Sequence, residues 1–259
     1  IAHPGVRRAL VVGGGDGGAA EELLKLPGIE QVVMAELDGE VVAMAREWLA
    51  SIHKGAFDDP RFALRLGDAR EFIASTPERF DQIVLDLTDP FGPAVELYTV
   101  EFYAACRRIL NPGGVLSLHL GSPIHLQESM RRIGASVRAV FPVFRPYLQY
   151  VPLYGTLWAM AMASDSTDPA LLTPAEVDAR IAARGFTGLW PIGLWKRSEA
   201  SRKIKVLAGQ KDAAASAYSV QSYEIAEELG GEAALEDLRD RAAKYGIRLA
   251  CDLVPNHWG

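Results

Sequence analysis

Two aspartates three residues apart, Asp86 and Asp89, directly follow the apolar stretch of residues 80–85. This stretch is typical of a buried parallel strand, so the two carboxylates are expected where a strand opens into a loop. Two prolines restrict the loop backbone and Gly92 permits a tight bend. Open α/β sheets place their chemistry at such strand ends, although an ordinary turn rich in Asp, Pro and Gly is the alternative interpretation.

Three further acids, Asp16, Glu36 and Asp68, also fall at the ends of predicted strands. Glu36 is placed where an acid accepts hydrogen bonds from both hydroxyls of a ribose, and Asp68 with the backbone of Ala69 can contact an adenine edge. Each acid taken alone could instead cap the helix that follows it. Four acids in register behind a run of glycines favour a nucleoside site.

Strands alternate with helices over the first 164 residues. This alternation predicts a mostly parallel, Rossmann-like α/β sheet with helices on both faces. Strands are expected at residues 9–12, 31–36, 62–66, 80–85 and 115–120, with two further strand-like runs within 149–164. Helices are expected from residue 19, at 41–51, 69–75, 98–110 and 124–141, and residues 111–114 are expected to end the helix 98–110.

The glycine loop after the first strand, residues 13–18, contains Asp16 at its centre. An acid there would repel a pyrophosphate, which disfavours NAD, and it would also repel the carboxylate of S-adenosylmethionine. The strand-end loops contain no lysine, and Arg70, the nearest arginine, is expected inside a helix. The pattern therefore favours a positively charged ligand without a carboxylate, such as an amine.

The composition is that of a water-soluble globular chain, with 259 residues, 49% hydrophobic residues and a formal net charge of −6. The negative charge argues against nucleic acid as a partner. The two cysteines, Cys106 and Cys251, do not form a disulfide framework or a metal-binding pattern, and no signal peptide or membrane span is recognisable. These features predict a cytoplasmic protein without a metal. Because the chain begins at Ile1 and stops at Gly259 directly after a motif, a fragment is expected.

Several spaced motifs resemble the spermidine synthases, or polyamine aminopropyltransferases, over about residues 1–185. They are residues 11–18, 35–38, 57–61, 67–68, 86–94, 150–154 and 172–178. The resemblance implies a Rossmann-like fold of the S-adenosylmethionine-dependent methyltransferase type. It also implies transfer of an aminopropyl group from decarboxylated S-adenosylmethionine to a diamine such as putrescine, giving spermidine and methylthioadenosine. It implies no other cofactor and no metal, a small-molecule polyamine substrate, and a homo-oligomer that binds neither nucleic acid nor membrane.

The same resemblance implies a role for individual residues. Asp86 would accept the proton of the attacking amine, Asp16, Asp89 and Tyr154 would help to hold the amine groups, and Asp16 would lie near the donor's aminopropyl ammonium. The donor would also be bound by residues of the glycine loop and of the other strand ends, namely Gly13, Gly14, Gly15, Gly17, Glu36, Asp68, Ala69 and Pro93.

Two departures from the family pattern bear on activity. His119 and the three residues after it stand where many members have a Gln-Gly-Glu motif, and a satisfied histidine at a strand end is the preferred interpretation. The family also has a small N-terminal β domain before the glycine loop, and this domain is expected to be missing from a fragment that begins at Ile1. The acceptor amine therefore stays open, and an isolated chain could be weak or inactive.

Residues 186–259 resemble the early barrel of the α-amylase family of glycoside hydrolases. The matching stretches are residues 185–193, 216–219 and 246–257, and the resemblance makes Asp252, Asn256 and His257 candidate sugar contacts. A (β/α)-barrel needs about 250 residues, so this incomplete barrel-like segment cannot close one, and an inert strand end is the preferred interpretation. The sequence thus predicts two domains, 1–185 and 186–259.

Three other functions stay open. A small-molecule methyltransferase would use the same fold but bind intact S-adenosylmethionine better than its decarboxylated form. A carbohydrate-active fragment would bind maltooligosaccharides through the C-terminal segment, and an inactive chimeric remnant would bind neither kind of ligand.

Overall fold

Short apolar strands alternate with helices over the first 171 residues and build one seven-stranded sheet. The computed structural model of the chain describes residues 2–3, 5–151, 154–191, 193–209 and 219–251. Spatial contacts group the chain into a first unit, residues 1–171, and a second unit, residues 172–259. The resemblances divide the chain at residue 185, so the helix Pro174–Ala182 belongs to the second unit by its contacts and to the first by its sequence.

The strand order of the sheet is β3-β2-β1-β4-β5-β7-β6. Neighbours among the first five strands pair in parallel, whereas β7 pairs antiparallel with both β5 and β6. The strands are β1 (Arg8–Gly13), β2 (Gln31–Glu36), β3 (Phe62–Leu66), β4 (Phe80–Asp86), β5 (Leu110–Gly121), β6 (Val143–Val151) and β7 (Thr156–Ser164). The helices are α1 (Gly18–Leu24), α2 (Gly39–Trp48), α3 (Ala50–His53), α4 (Ala69–Ser75), α5 (Val100–Ile109) and α6 (Gln127–Val140). The predicted Rossmann-like, methyltransferase-type α/β fold is confirmed.

The parallel strands are apolar at consecutive positions because helices cover both of their faces. Leu10, Ile83 and Leu116 pack in one cluster with side chains of α4, α5 and α6. Val11 and Met34 pack in the opposite cluster with side chains of α1 and α2. Truncating one of these fully buried aliphatic side chains to alanine would cost about 2–5 kcal/mol, so the two clusters hold the strand ends at fixed positions.

The helix α5 ends at Ile109, just before residues 111–114 as expected, but the strand that follows begins earlier than predicted, because this segment already belongs to β5. The pairing with β4 jumps from Phe80–Leu110 to Gln82–Val115, so the segment between these pairs bulges within the strand. The last strand pair also begins earlier than predicted, with β6 starting at Val143. Its Pro146 is tolerated because β6 lies at the edge of the sheet.

The second unit contains two small sheets. Its elements are α7 (Pro174–Ala182), β8 (Gly188–Leu189), β9 (Trp195–Arg197), α8 (Glu199–Leu207), β10 (Val220–Ile225), α9 (Gly231–Lys244) and β11 (Arg248–Leu249). Strand β8 pairs in parallel with β11, and β9 pairs antiparallel with β10. A capping box opens α7, since the Thr173 hydroxyl accepts from the backbone N–H of Glu176 and the Glu176 carboxylate accepts from that of Thr173.

Throughout the described ranges, none of the helices combines the length and the apolar composition that crossing a lipid bilayer requires.

Candidate nucleoside and amine site

The glycine loop is held against the end of β4 by its backbone. Gly13 pairs with Asp86 in the sheet register, and the N–H of Gly14 donates to the carbonyl of Asp86 at 3.0 Å. Both glycines have positive φ angles, and a Cβ added to Gly13 would lie 2.3 Å from the Asp86 carbonyl oxygen. Only glycine allows this approach, so the loop places backbone groups directly beside the Asp86 carboxylate.

Three of the strand-end acids, Glu36, Asp68 and Asp86, line one cavity of about 460 Å³ at the carboxyl edge of the parallel strands. The cavity is also lined by predicted site residues of the glycine loop and of the α4 start, namely Gly13, Gly14, Gly15 and Ala69. The sequence reasoning missed a mostly apolar part of its wall, formed by Leu37, Asp38, Val41, Phe91, Ala94 and Leu97. Such a wall suits the flat faces of a base and a ribose.

Four predicted residues lie outside this lining. Asp16 is exposed and its carboxylate accepts from the N–H of Gly18 at 2.9 Å, while Gly17 is packed behind the loop against His53 and Phe57. Asp89 is half-buried in the loop after β4, and Tyr154 is exposed. The side chain of Pro93, the remaining prediction for the donor, lies outside the described part of the structure, as do the sugar-contact candidates Asp252, Asn256 and His257.

The helix-capping alternative holds for some of the acids only. Asp68 caps α4 by accepting from the backbone N–H of Arg70 at 2.8 Å, and α2 is capped by Asp38 rather than by Glu36. Glu36 accepts from the N–H of Asp38 at 3.0 Å and approaches Gly15 with its other oxygen. Asp86 caps no helix, so capping does not explain its position.

Arg70 lines the cavity with its guanidinium group, contrary to the expectation of an entirely acidic crevice. Its Nη2 donates to Asp68 Oδ2 at 2.7 Å and its Nε lies 3.1 Å from the same oxygen. This hydrogen bond is the main reason why the pKa of Asp68 lies below its ordinary value. The pairing was missed because a helical position alone does not tell where an arginine side chain points.

Asp86 has the opposite environment. Within the described ranges its carboxylate makes no hydrogen bond or ion pair, and it remains accessible from the mouth of the cavity. The surrounding protein disfavours its charged form and raises its pKa. The negative charge of Asp16 raises the pKa further, His119 opposes this, and Glu36 adds a smaller upward contribution. A raised pKa is what a carboxylate needs in order to accept and keep a proton.

A row of four rings adjoins this acid: Tyr98, His119, Trp158 and Tyr154. Their successive ring centroids lie 6.1, 6.2 and 4.8 Å apart. The Tyr98 hydroxyl donates to the carbonyl of Thr88 at 2.7 Å and lies 2.9 Å from His119 Nε2. Because a hydroxyl has one proton, Nε2 must donate to Tyr98. The buried His119 Nδ1 has no hydrogen-bond partner among the described residues, so the expected satisfied histidine is satisfied on one side only.

A larger and shallower depression of about 730 Å³ involves Arg79, Arg107 and Arg108 at the other edge of the sheet. The guanidinium groups of Arg79 and Arg108 donate to backbone carbonyls, and that of Arg107 donates to the Val140 carbonyl and pairs with Asp165. These contacts satisfy the open carbonyls at helix ends. The smaller, acid-lined cavity is therefore the better candidate for a functional site. The described residues contain no cluster of metal-ligating side chains.

The fold and the cavity define the class of protein: an α/β domain with an acid-lined cavity at the carboxyl edge of its parallel strands. The model of the spermine/spermidine synthase domain matches residues 1–173, and the chain belongs to this family.

Relatives over this region are aminopropyltransferases. The chain is 62% identical over 189 residues to the polyamine aminopropyltransferase of Nitrosomonas europaea, covering 73% of this chain and 58% of the relative. It is 41% identical over 186 residues to polyamine aminopropyltransferase 2 of Hyperthermus butylicus, covering 71% and 61% of the two chains. This chain therefore spans about three fifths of the length of these relatives.

Solved structures are similar over about two thirds of the chain. The crystal structure of a spermidine synthase in complex with the transition-state analogue AdoDATO superposes with a TM-score of 0.62 at 35% identity, covering 65% of this chain and 58% of the other. The spermidine synthase of Thermotoga maritima superposes with a TM-score of 0.59 at 32% identity, covering 65% and 56%.

Proposed function

We propose that the first unit transfers an aminopropyl group from decarboxylated S-adenosylmethionine to a diamine such as putrescine, giving spermidine and methylthioadenosine. The observation that carries the proposal is Asp86, an accessible carboxylate with a raised pKa and no cationic partner among the described residues, at the end of a nucleoside-sized cavity. Membership of the spermine/spermidine synthase family supports the same conclusion.

In the proposed reaction the donor's adenine lies near Asp68, Ala69 and Pro93, and its ribose hydroxyls donate to Glu36. Backbone groups of Gly13, Gly14 and Gly15, which line the cavity, surround the middle of the donor. These positions put the sulfonium and its aminopropyl chain toward Asp86 and Asp16, where negative charge stabilises both cationic groups.

The acceptor amine must lose a proton before it can attack carbon, because an alkylammonium has a pKa of about 10. Asp86 attracts the ammonium and accepts this proton. The amine nitrogen then forms a bond to the aminopropyl carbon, and the C–S bond breaks with both electrons going to sulfur. Positioning supplies much of the rate, since a sulfonium is already a good leaving group. Asp89 and Tyr154 would hold the rest of the amine chain.

Parallel calorimetric titrations with decarboxylated and intact S-adenosylmethionine test this function, on the wild-type chain and on Asp16→Asn. We expect tighter binding of the decarboxylated donor, with the preference reduced in the variant because the donor's ammonium loses a nearby anion. The same samples with putrescine should form methylthioadenosine, measured by mass spectrometry. Preference for the intact donor would instead indicate a methyltransferase, and binding of neither would indicate an inactive remnant.

We propose that residues 186–259, which lie within the second unit, are a partial α-amylase-like segment. One observation favours a separate origin for this segment. Its β8 and β11 pair in parallel, and α9 precedes β11, as in a β–α–β unit of a barrel. Titration with maltoheptaose tests whether this segment binds sugar. We expect no hydrolysis, and release of maltose would contradict the assignment of an incomplete barrel.

We further propose a cytoplasmic, homo-oligomeric protein. Two unpaired cysteines, Cys106 and Cys251, are consistent with a reducing compartment. Size-exclusion chromatography with light scattering measures the assembly, and a monomer at micromolar concentration would contradict it.

A further inference from the structure

The chain contains two Asp-x-Arg pairs with the same local geometry. In the pair Asp59–Arg61, the backbone N–H, Nε and Nη2 of the arginine donate to the carboxylate at 2.8, 2.9 and 2.8 Å. In the pair Asp68–Arg70, the backbone N–H and Nη2 donate at 2.8 and 2.7 Å, and Nε lies between both oxygens. The pairs differ in place, since the second lines the acid-lined cavity and the first does not.

The Arg70 fork uses most of the acceptor capacity of Asp68. A carboxylate offers about four lone-pair positions, and Arg70 fills three of them with its backbone N–H and two guanidinium N–H groups. The position that remains fits one further N–H donor. A planar guanidinium fork also holds the carboxylate in one orientation, which a single ammonium cannot do.

We propose that Arg70 is a positioning residue that fixes the orientation of the Asp68 carboxylate. This end of the cavity then selects a base with an exocyclic amino group and rejects a base with an oxo group at the same position. The inference rests on the proposed function, because it assigns Asp68 to the base of the donor. An oxo group would bring two acceptors together without a proton between them, which leaves a polar group unpaired.

The electrostatics of the pair supports this role. Arg70 lowers the pKa of Asp68, chiefly through the side-chain hydrogen bond, so the carboxylate stays ionised to more acidic pH than an unpaired aspartate would. Without Arg70 the pKa of Asp68 rises toward its ordinary value, and the acid-side loss of base binding should move to higher pH.

The test is calorimetric titration of the whole chain with methylthioadenosine and with methylthioinosine, from neutral pH down to about pH 4, near the ordinary range of an aspartate. The variants are Arg70→Gln, Arg70→Lys and, as the matched control, Arg61→Gln, which removes an identical fork away from the cavity. Circular dichroism melting shows that each variant is folded at the titration temperature.

We expect the wild type and Arg61→Gln to favour methylthioadenosine by about tenfold or more, as one hydrogen bond to a charged group allows. Arg70→Gln should lose most of this preference, and its loss of binding at acidic pH should begin at a higher pH than in the wild type. Arg70→Lys should bring the pH of this loss part of the way back, but it should not restore the preference. Equal preference in the wild type and Arg70→Gln, or an equal loss in Arg61→Gln, would overturn the positioning role alone. If the wild type binds neither nucleoside, the proposed function fails and the positioning role fails with it.

Discussion

Asp68 and Asp86 lie at the same edge of one sheet, yet their surroundings push their pKa values in opposite directions. Asp68 is paired with Arg70 and caps α4, which lowers its pKa. The protein around Asp86 removes part of its hydration, two other acids lie nearby, and no cation pairs with it among the described residues. Its pKa is therefore raised. The comparison separates a carboxylate used for structure and recognition from one kept ready to accept a proton.

The largest expected effect is that of Asp86→Asn on catalysis. An amide cannot accept the amine proton, so the rate of aminopropyl transfer should fall by about 10²–10⁴-fold, the usual contribution of a general base. Binding of methylthioadenosine should change little, because the base end of the cavity is untouched. Initial-rate and titration measurements on the same samples check both parts. If Asp86→Asn retained the transfer activity, Asp86 would not be the proton acceptor, and the functional contrast with Asp68 would be wrong.

Gly13→Ala should have the next largest effect, because the new Cβ would collide with the backbone of Asp86 at 2.3 Å. Gly28→Ala is the matched control: its φ is also positive, at 88°, but nothing lies within 4 Å of an added Cβ. Conformational strain costs both variants about 1–3 kcal/mol, and Gly13→Ala should lose clearly more. Urea unfolding measures the difference, and equal losses would mean that the loop is not locked to Asp86.

Tyr98→Phe tests the support of the loop that follows Asp86. Removing the hydroxyl leaves the Thr88 carbonyl and His119 Nε2 without their shared partner. A buried group left unpaired costs about 1–3 kcal/mol, but His119 is only half-buried and the exposed Thr88 is reached by water, so we expect a loss of about 1 kcal/mol in the free energy of unfolding. Tyr150→Phe on the exposed part of β6 should change stability little. Equal stability of Tyr98→Phe and the wild type would show that the tyrosine does not hold this loop.

The smallest effects concern the pH dependence of stability and should have opposite signs at the two acids. The raised pKa of Asp86 means that its ionised form destabilises the fold, so Asp86→Asn should be more stable than the wild type at neutral pH. This gain should vanish as the pH falls through the folded-state pKa. The lowered pKa of Asp68 means that its ionised form stabilises the fold.

Asp68→Asn should therefore lose about 0.2–1 kcal/mol at neutral pH, the range of a partly exposed ion pair, and this difference should shrink as the pH falls. Urea unfolding of both variants between neutral pH and about pH 3 measures the two trends. If the two stability differences changed with pH in the same direction, the opposite pKa shifts of Asp68 and Asp86 would be contradicted.

Much of the site could be predicted from sequence because its parts are local. An apolar run followed by glycines, or by an acid at a strand end, is recognisable within a few residues, and parallel strands bring their carboxyl ends to one edge. Glu36, Asp68 and Asp86 were placed together in this way, and the structure confirms that they line one cavity. The proline and glycines at 111–114 correctly marked the end of α5, but they did not reveal that β5 had already begun, since a bulge inside a strand uses the same residue types as a turn.

The contacts that distinguish the acids could not be predicted in the same way. Tyr98 reaches His119 across 21 residues of sequence, and the direction of the Arg70 side chain depends on its rotamer rather than on its helical position. The apolar wall of the cavity also escaped prediction. Phe91 and Leu97 approach Val41 only after the sheet has formed.

The sequence by itself determined the α/β fold of the first unit, the glycine loop and the strand-end acids, because each depends on short-range patterns of hydrophobicity and backbone freedom. Only the tertiary structure decided that Asp68 is neutralised by Arg70 whereas Asp86 stands beside Asp16 and Glu36 without a cationic partner in the described residues. The physical reason is that the charge state of a carboxylate depends on every group within a few ångströms, and the fold brings those groups together from distant parts of the chain.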